Sequence, residues 1–134
     1  MEKFGGNGKN IPVTVTVATE TEPTAVDGVF SRTADGFTLE FCIGEDKFVI
    51  SHTNEQTTVK TKGLMSYEIT LCDVDTQTVL ATPFGMVKFD VKTELRKVEE
   101  KDNSLHVMLL YVLHADGVGD MNRSVDIIIR NSEL

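Results

Sequence analysis

Tryptophan is absent from this chain, cysteine occurs twice and proline three times. No apolar run approaches the roughly 18 residues that a membrane-spanning helix needs. Two cysteines, Cys42 and Cys72, thirty residues apart among apolar neighbours, make no disulfide framework and read as reduced, half-buried thiols of a cytoplasmic protein. Basic residues are scarce as well. Thirteen Lys and Arg stand against twenty-one Asp and Glu, a formal net charge of −8, and the cations are spread singly. Binding to nucleic acid or to an anionic membrane surface calls for clustered cations, so neither is expected as a partner. The first ten residues lack the apolar core of a signal peptide and read as a flexible tail ahead of a single domain over residues 11–134.

Helical periodicity is missing too. No stretch of a dozen residues keeps apolar side chains at i, i+3, i+4 and i+7. Period-two alternation takes its place, clearest in the segment that opens with Pro83 and Gly85. There Val87, Phe89, Val91, Thr93 and Leu95 fall on one side, while Lys88, Asp90, Lys92, Glu94 and Arg96 fall on the other. Side chains of a strand point alternately to opposite faces, so this strand has one dry face and one wet face. The same period recurs in Ile11–Glu20, Val26–Thr33, Phe37–Ile43, Lys47–His52, Thr57–Lys62, Met65–Leu71, Thr78–Thr82, Ser104–Ala115 and Met121–Arg130, with turn residues between them.

About ten short strands joined by short loops must be antiparallel neighbours, because parallel pairing needs long crossovers. An open sheet of that width would expose two edges, and closure removes both. The expected fold is therefore all-β, an antiparallel up-and-down β-barrel of about 8–10 strands, with a β-sandwich as the alternative. Val87, Phe89, Val91, Leu109, Tyr111, Ile127 and Ile129 are expected inside.

Three segments carry a resemblance. Thr82-Pro83-Phe84-Gly85, Val91-Lys92-Thr93-Glu94-Leu95 and Tyr111-Val112-Leu113 resemble the YwiB-like family of uncharacterised bacterial proteins, most clearly between Thr57 and Arg130. The resemblance implies a calycin-type, lipocalin-like barrel, and would place Gly28, Gly63 and Gly85 at family glycine positions. It implies no activity. This chain departs from the family pattern at Thr61-Lys62-Gly63, where Arg-x-Gly is usual, and at Leu80-Ala81-Thr82-Pro83, where Tyr-x-Thr-Pro is frequent.

Catalytic patterns fail one by one. The chain has no Gly-x-Ser-x-Gly, Walker loop, His-Glu-x-x-His or Cys-x-x-Cys. Gly5-Gly6-Asn7-Gly8 lacks the strand before it and the helix after it that a phosphate cradle requires. Asp73-x-Asp75 begins like a calcium loop, yet Thr78 stands where the turn glycine belongs. His106 and His114 share one strand face but lie about 26 Å apart, too far to share a metal. No metal, cofactor or catalytic residue is assigned, and an enzyme is the least supported class.

Two anomalies remain. Ser104–Ala115 is apolar on both faces, with Met108, Leu110 and Val112 opposite the inward row. That outer side needs a cover, either a packed terminus or a second subunit in a homodimer. Arg123 stands in an otherwise apolar row with Met121, Val125, Ile127 and Ile129, either at a wet rim or aimed into a barrel mouth. With Tyr111 and Tyr67 as further polar-tipped members of apolar rows, and Met65, Met86 and Met121 as adaptable walls, it defines a candidate ligand-binding site. The expected role is a binding module for a small, partly apolar, possibly anionic ligand. The alternative is a structural or interaction protein with a filled barrel and a dimer face.

Overall fold

A period-two row of apolar residues is dry only if something covers that face of its sheet, and a series of hairpins covers it most directly by curling on itself. The computed structural model describes residues 9–19, 22–63 and 66–131, which contain ten strands and no helix. They are β1 (Asn10–Ala18), β2 (Thr24–Arg32), β3 (Gly36–Ile43), β4 (Asp46–Thr53) and β5 (Thr57–Lys62). The second half holds β6 (Tyr67–Leu71), β7 (Thr76–Thr82), β8 (Gly85–Lys101), β9 (Ser104–Ala115) and β10 (Gly119–Asn131). The tail expected over residues 1–10 lies almost wholly outside the described residues, and β1 already begins at Asn10.

All ten strands belong to one antiparallel sheet in the order β6-β5-β4-β3-β2-β1-β10-β9-β8-β7. Every neighbour is also a neighbour in sequence except β1 and β10, which pair from Val13↔Asn131 to Ala18↔Asp126. The two ends of the sheet, β6 and β7, meet at a seam. Ser66 and Ala81 exchange backbone hydrogen bonds of 3.1 and 3.3 Å. Beyond that bridge, side chains take over from the backbone ladder. Thr76 Oγ1 donates to the Thr70 carbonyl at 2.7 Å, and Thr78 Oγ1 to the Glu68 carbonyl at 2.6 Å. The result is an up-and-down barrel closed by two threonines where a longer ladder would otherwise run.

Turn chemistry sets the corners. Gly85, which opens β8, has φ 131°, a conformation that side chains rarely adopt. Asp102 turns β8 into β9 at φ 52°, one of the few non-glycine residues that tolerate the left-handed region. Within the wall, a Cβ on Gly28 would lie 2.8 Å from the Glu40 carbonyl oxygen and 2.8 Å from Val15 Cγ2. Glycine there lets β1, β2 and β3 pack closely as the sheet bends.

The inward rows fill the middle of the bore. Phe30, Leu39, Ile50, Leu109, Ile127 and Ile129 are all buried to within 2 % exposure. Of the expected interior residues, Phe89, Val91, Leu109, Tyr111, Ile127 and Ile129 are buried, and Val87 is half-buried near the end of its strand. Fully burying a side chain of this size contributes about 1.5–3 kcal/mol.

A sequence expectation fails in β8. The alternation Val87, Phe89, Val91, Thr93, Leu95 does not continue to its last member. Thr93 pairs with Tyr111 and Leu95 with Leu110, so Glu94 is an extra, unpaired residue in a β-bulge. An inserted residue reverses which side chains face inward. Leu95 is therefore 38 % exposed, and Arg96, expected on the wet face, turns toward the bore.

Candidate functional site

The two ends of this barrel differ, and the difference begins with that bulge. At one end, here the base, lie the turns β2–β3, β4–β5 and β8–β9. Arg96 reaches from β8 across the bore to the β4–β5 turn. Its Nη1 donates to the Thr53 carbonyl at 2.8 Å and lies 3.3 Å from Thr57 Oγ1, while Nη2 donates to the Asn54 carbonyl at 2.8 Å. His52 Nδ1 is 2.7 Å from Thr57 Oγ1 and 3.5 Å from Arg96 Nη1. A guanidinium only donates, so this network assigns Nδ1 as acceptor and places the imidazole proton on Nε2. Burial, reinforced by the Arg96 charge, holds the His52 pKa below its ordinary value. The ring stacks on Phe37 at 5.3 Å.

Beside it, Arg32 Nη2 meets Glu100 Oε1 at 2.5 Å, joining β2 to β8. A depression of about 470 Å³ lies among these groups, lined by Arg32, Asp35, His52, Asn54 and Glu100 with their neighbours. Its principal charges are already engaged with one another. They stitch the base together.

The opposite end, the mouth, is built differently. Ala18, the last residue of β1 to pair with β10, stands against Asp126, and β10 and β9 continue beyond it as far as Gly119↔Ala115. This projecting hairpin carries Arg123 directly opposite Tyr111. A pocket of about 140 Å³ opens beside the β6–β7 seam. It is lined by Tyr67 and Ile69 of β6, Thr78 and Leu80 of β7, and Phe89 of β8. Tyr111 and Leu113 of β9 and Met121 and Arg123 of β10 complete the wall. An apolar cavity of roughly this volume accepts a group the size of a benzene ring. Tyr111 is 4 % exposed and Met121 36 %, so the pocket grades from a dry floor to a wet lip. Among these lining residues Arg123 alone is charged.

Four of the six residues expected from sequence thus line one pocket: Arg123, Tyr111, Tyr67 and Met121. Met86 does not join them. Val87 and Phe89 take the inward positions of β8, which sends Met86 outward, and it is 75 % exposed. Phe84, in the turn before β8, and Val118, in the turn between β9 and β10, are exposed as well, at 100 % and 61 %. Met65 lies outside the described residues. Ile69, Thr78, Leu80, Phe89 and Leu113 also line the pocket; the sequence put Phe89 in the interior but assigned none of the five to the site.

Thr61 is a further omission. Its residue is 6 % exposed, and its Oγ1 is buried without a hydrogen-bond partner among the described residues. It pairs with Tyr67 across β5 and β6. An unpaired buried hydroxyl costs on the order of 1–3 kcal/mol, which marks this flank of the mouth as incompletely satisfied.

On the outer wall, the remaining histidines pair with carboxylates. His106 Nε2 meets Asp126, and His114 Nδ1 meets Asp120 at 2.5 Å. No group of three or more His, Cys, Asp or Glu side chains suited to a metal occurs among the described residues. Both cysteines are free thiols, Cys42 exposed and Cys72 half-buried.

No family model matches the chain, and no curated protein matches it. Among solved structures it is similar to the crystal structure of the YwiB protein from Bacillus subtilis, with a TM-score of 0.73 at 12 % identity. The match covers 92 % of this chain and 93 % of that one. At that identity the likeness establishes the barrel fold alone.

Proposed function

We propose that this barrel is a binding module that takes a small ligand, apolar along most of its length and anionic at one end, into its mouth. The observation that carries the reading is the convergence of Arg123, Tyr111, Tyr67 and Met121 on one apolar-walled pocket. Such sites use a few polar groups on apolar walls to fix orientation. Here the ligand's ring or short chain packs against Ile69, Leu80, Phe89 and Leu113. Its carboxylate reaches the guanidinium of Arg123 at the lip, where a planar fork suits a planar acid. The tyrosines each offer a flat apolar ring beside a hydroxyl. The middle of the bore is packed, so the ligand occupies the mouth rather than running through the barrel.

The test is a thermal-shift screen of benzoate, phenylacetate and hexanoate against their neutral amides, on the parent and on Arg123→Ala. Ligand at about 100 times its dissociation constant stabilises the parent by about 2.7 kcal/mol. The amides and the variant are expected to lose most of that shift. If no carboxylate moves the parent, or all move the variant equally, the mouth is not a site. The barrel is then a filled scaffold whose function lies on its outer wall.

A further inference from the structure

The outer face of β9 is apolar in the middle of a strongly acidic protein, and no described segment lies over it. Its register with the strands on either side gives that face a regular pattern. Met108 stands between Lys97 of β8 and Asp126 of β10. One step nearer the mouth, Leu110 stands between Leu95 and Ser124. Leu110 and Leu95 are 40 % and 38 % exposed, and the side chains of Lys97 and Asp126 are 54 % and 47 % exposed. The patch thus has an apolar centre, a cation on its β8 flank that lies 2.7 Å from Glu99, and at the same height an anion on its β10 flank that also meets His106.

We propose that this face is a contact between two copies of the chain, related by a two-fold axis lying along β9. A rotation about that line keeps height along the strand and exchanges left for right. Leu110 then meets Leu110 of the other copy, and each Lys97 meets the other copy's Asp126. The patch is complementary to itself, as an isologous interface requires. A two-fold axis running across the strands instead would set Lys97 near the other copy's Lys92, bringing like charges together. Two twisted sheets packed face to face cross at about 30°, so contact is confined to the stretch around Met108 to Val112. The acidic pair Asp90 and Asp120, which flank His114 toward the mouth, are carried apart by the same crossing.

The pairing is tested by charge reversal. Lys97→Glu sets Glu against Asp126 at both contacts, and Asp126→Lys sets Lys against Lys97. Each variant alone is expected to weaken self-association at least about tenfold in sedimentation equilibrium, reading as monomer where the parent is dimer. An equimolar mixture of the two variants restores the dimer, because both of its contacts then join opposite charges. Neither substitution touches the packed interior, and circular dichroism confirms that each variant is folded. A parent that sediments as monomer up to millimolar concentration overturns the proposal. So does a dimer that survives either single reversal, or a mixture that fails to re-associate.

Discussion

Replacing Arg96 by alanine removes the strap across the base. Four acceptors lose a charged donor: the carbonyls of Thr53 and Asn54, the hydroxyl of Thr57 and, at 3.5 Å, Nδ1 of His52. A hydrogen bond from a charged group is worth about 1.5–3 kcal/mol when nothing replaces it. Asn54 is exposed and Thr53 half-buried, so water re-satisfies those two carbonyls and their net loss falls to about 0.5–1 kcal/mol each. Thr57 is fully buried but keeps His52 as a partner, which limits its share. With the lost packing of the arginine stem, the expected total is about 2 kcal/mol. For a domain of this size that lowers Tm by roughly 6–10 °C. With no tryptophan in the chain, circular dichroism and calorimetry are the suitable probes. Arg96→Lys keeps the charge but not the planar fork, and is expected to recover less than half of the loss. An Arg96→Ala variant within about 0.5 kcal/mol of the parent would refute the reasoning, because that is the behaviour of a solvated surface arginine.

Neighbouring leucines of β9 test which face is buried: Leu109→Ala is expected to cost about 3–4 kcal/mol through the cavity it leaves. In dilute solution Leu110→Ala should stay within about 0.5 kcal/mol in the same urea titration, and equal costs would contradict the assigned register. In an NMR titration of the three histidines, His52 is expected to titrate below the ordinary value of 6.5 and His114 above it, raised chiefly by its hydrogen bond to Asp120. The His52 contribution to stability is then full above pH 6.5 and lost as pH falls through its folded value; the His114 contribution is full below pH 6.5 and lost as pH rises through its own. A His52 that titrates at or above 6.5 would mean that its ring is neither buried nor facing Arg96.

The barrel was legible because nearly every strand announces both its period and its ends. Ser104–Ala115 matches β9 to the residue, and Thr57–Lys62 matches β5. Arg96 was not legible, and the reason is a matter of counting. Alternation read through Glu94 places Leu95 inside and Arg96 outside. Counted without the unpaired residue, Val91, Thr93, Arg96 and Val98 form a regular inward row. A bulge leaves no mark in composition: it shows only in how a strand pairs with its neighbour. The candidate site was read in half. Arg123 and the two tyrosines stood out as polar members of apolar rows, whereas Leu80 and Phe89 look like any other core residue until topology sets β6, β7 and β8 around one pocket. Thr61 belongs to the same class: nothing in a threonine's sequence context says that its hydroxyl will lack a partner.

The pairing of the first strand with the last has a consequence for how the molecule is made. While the ribosome is still delivering β2 to β9, β1 presents one bare edge, its Val13, Val15 and Val17 row lining a trough that has no second wall. Hairpins can form one after another as they emerge, since each joins neighbours in sequence. Ring closure waits for β10, which must seat against β9 on one side and against β1 on the other. Contacts that span nearly the whole sequence slow the final step. Until it is complete, β1 offers a ready template for a neighbouring nascent chain. A transcript cut short before Met121 would therefore produce an aggregating species rather than a slightly smaller barrel.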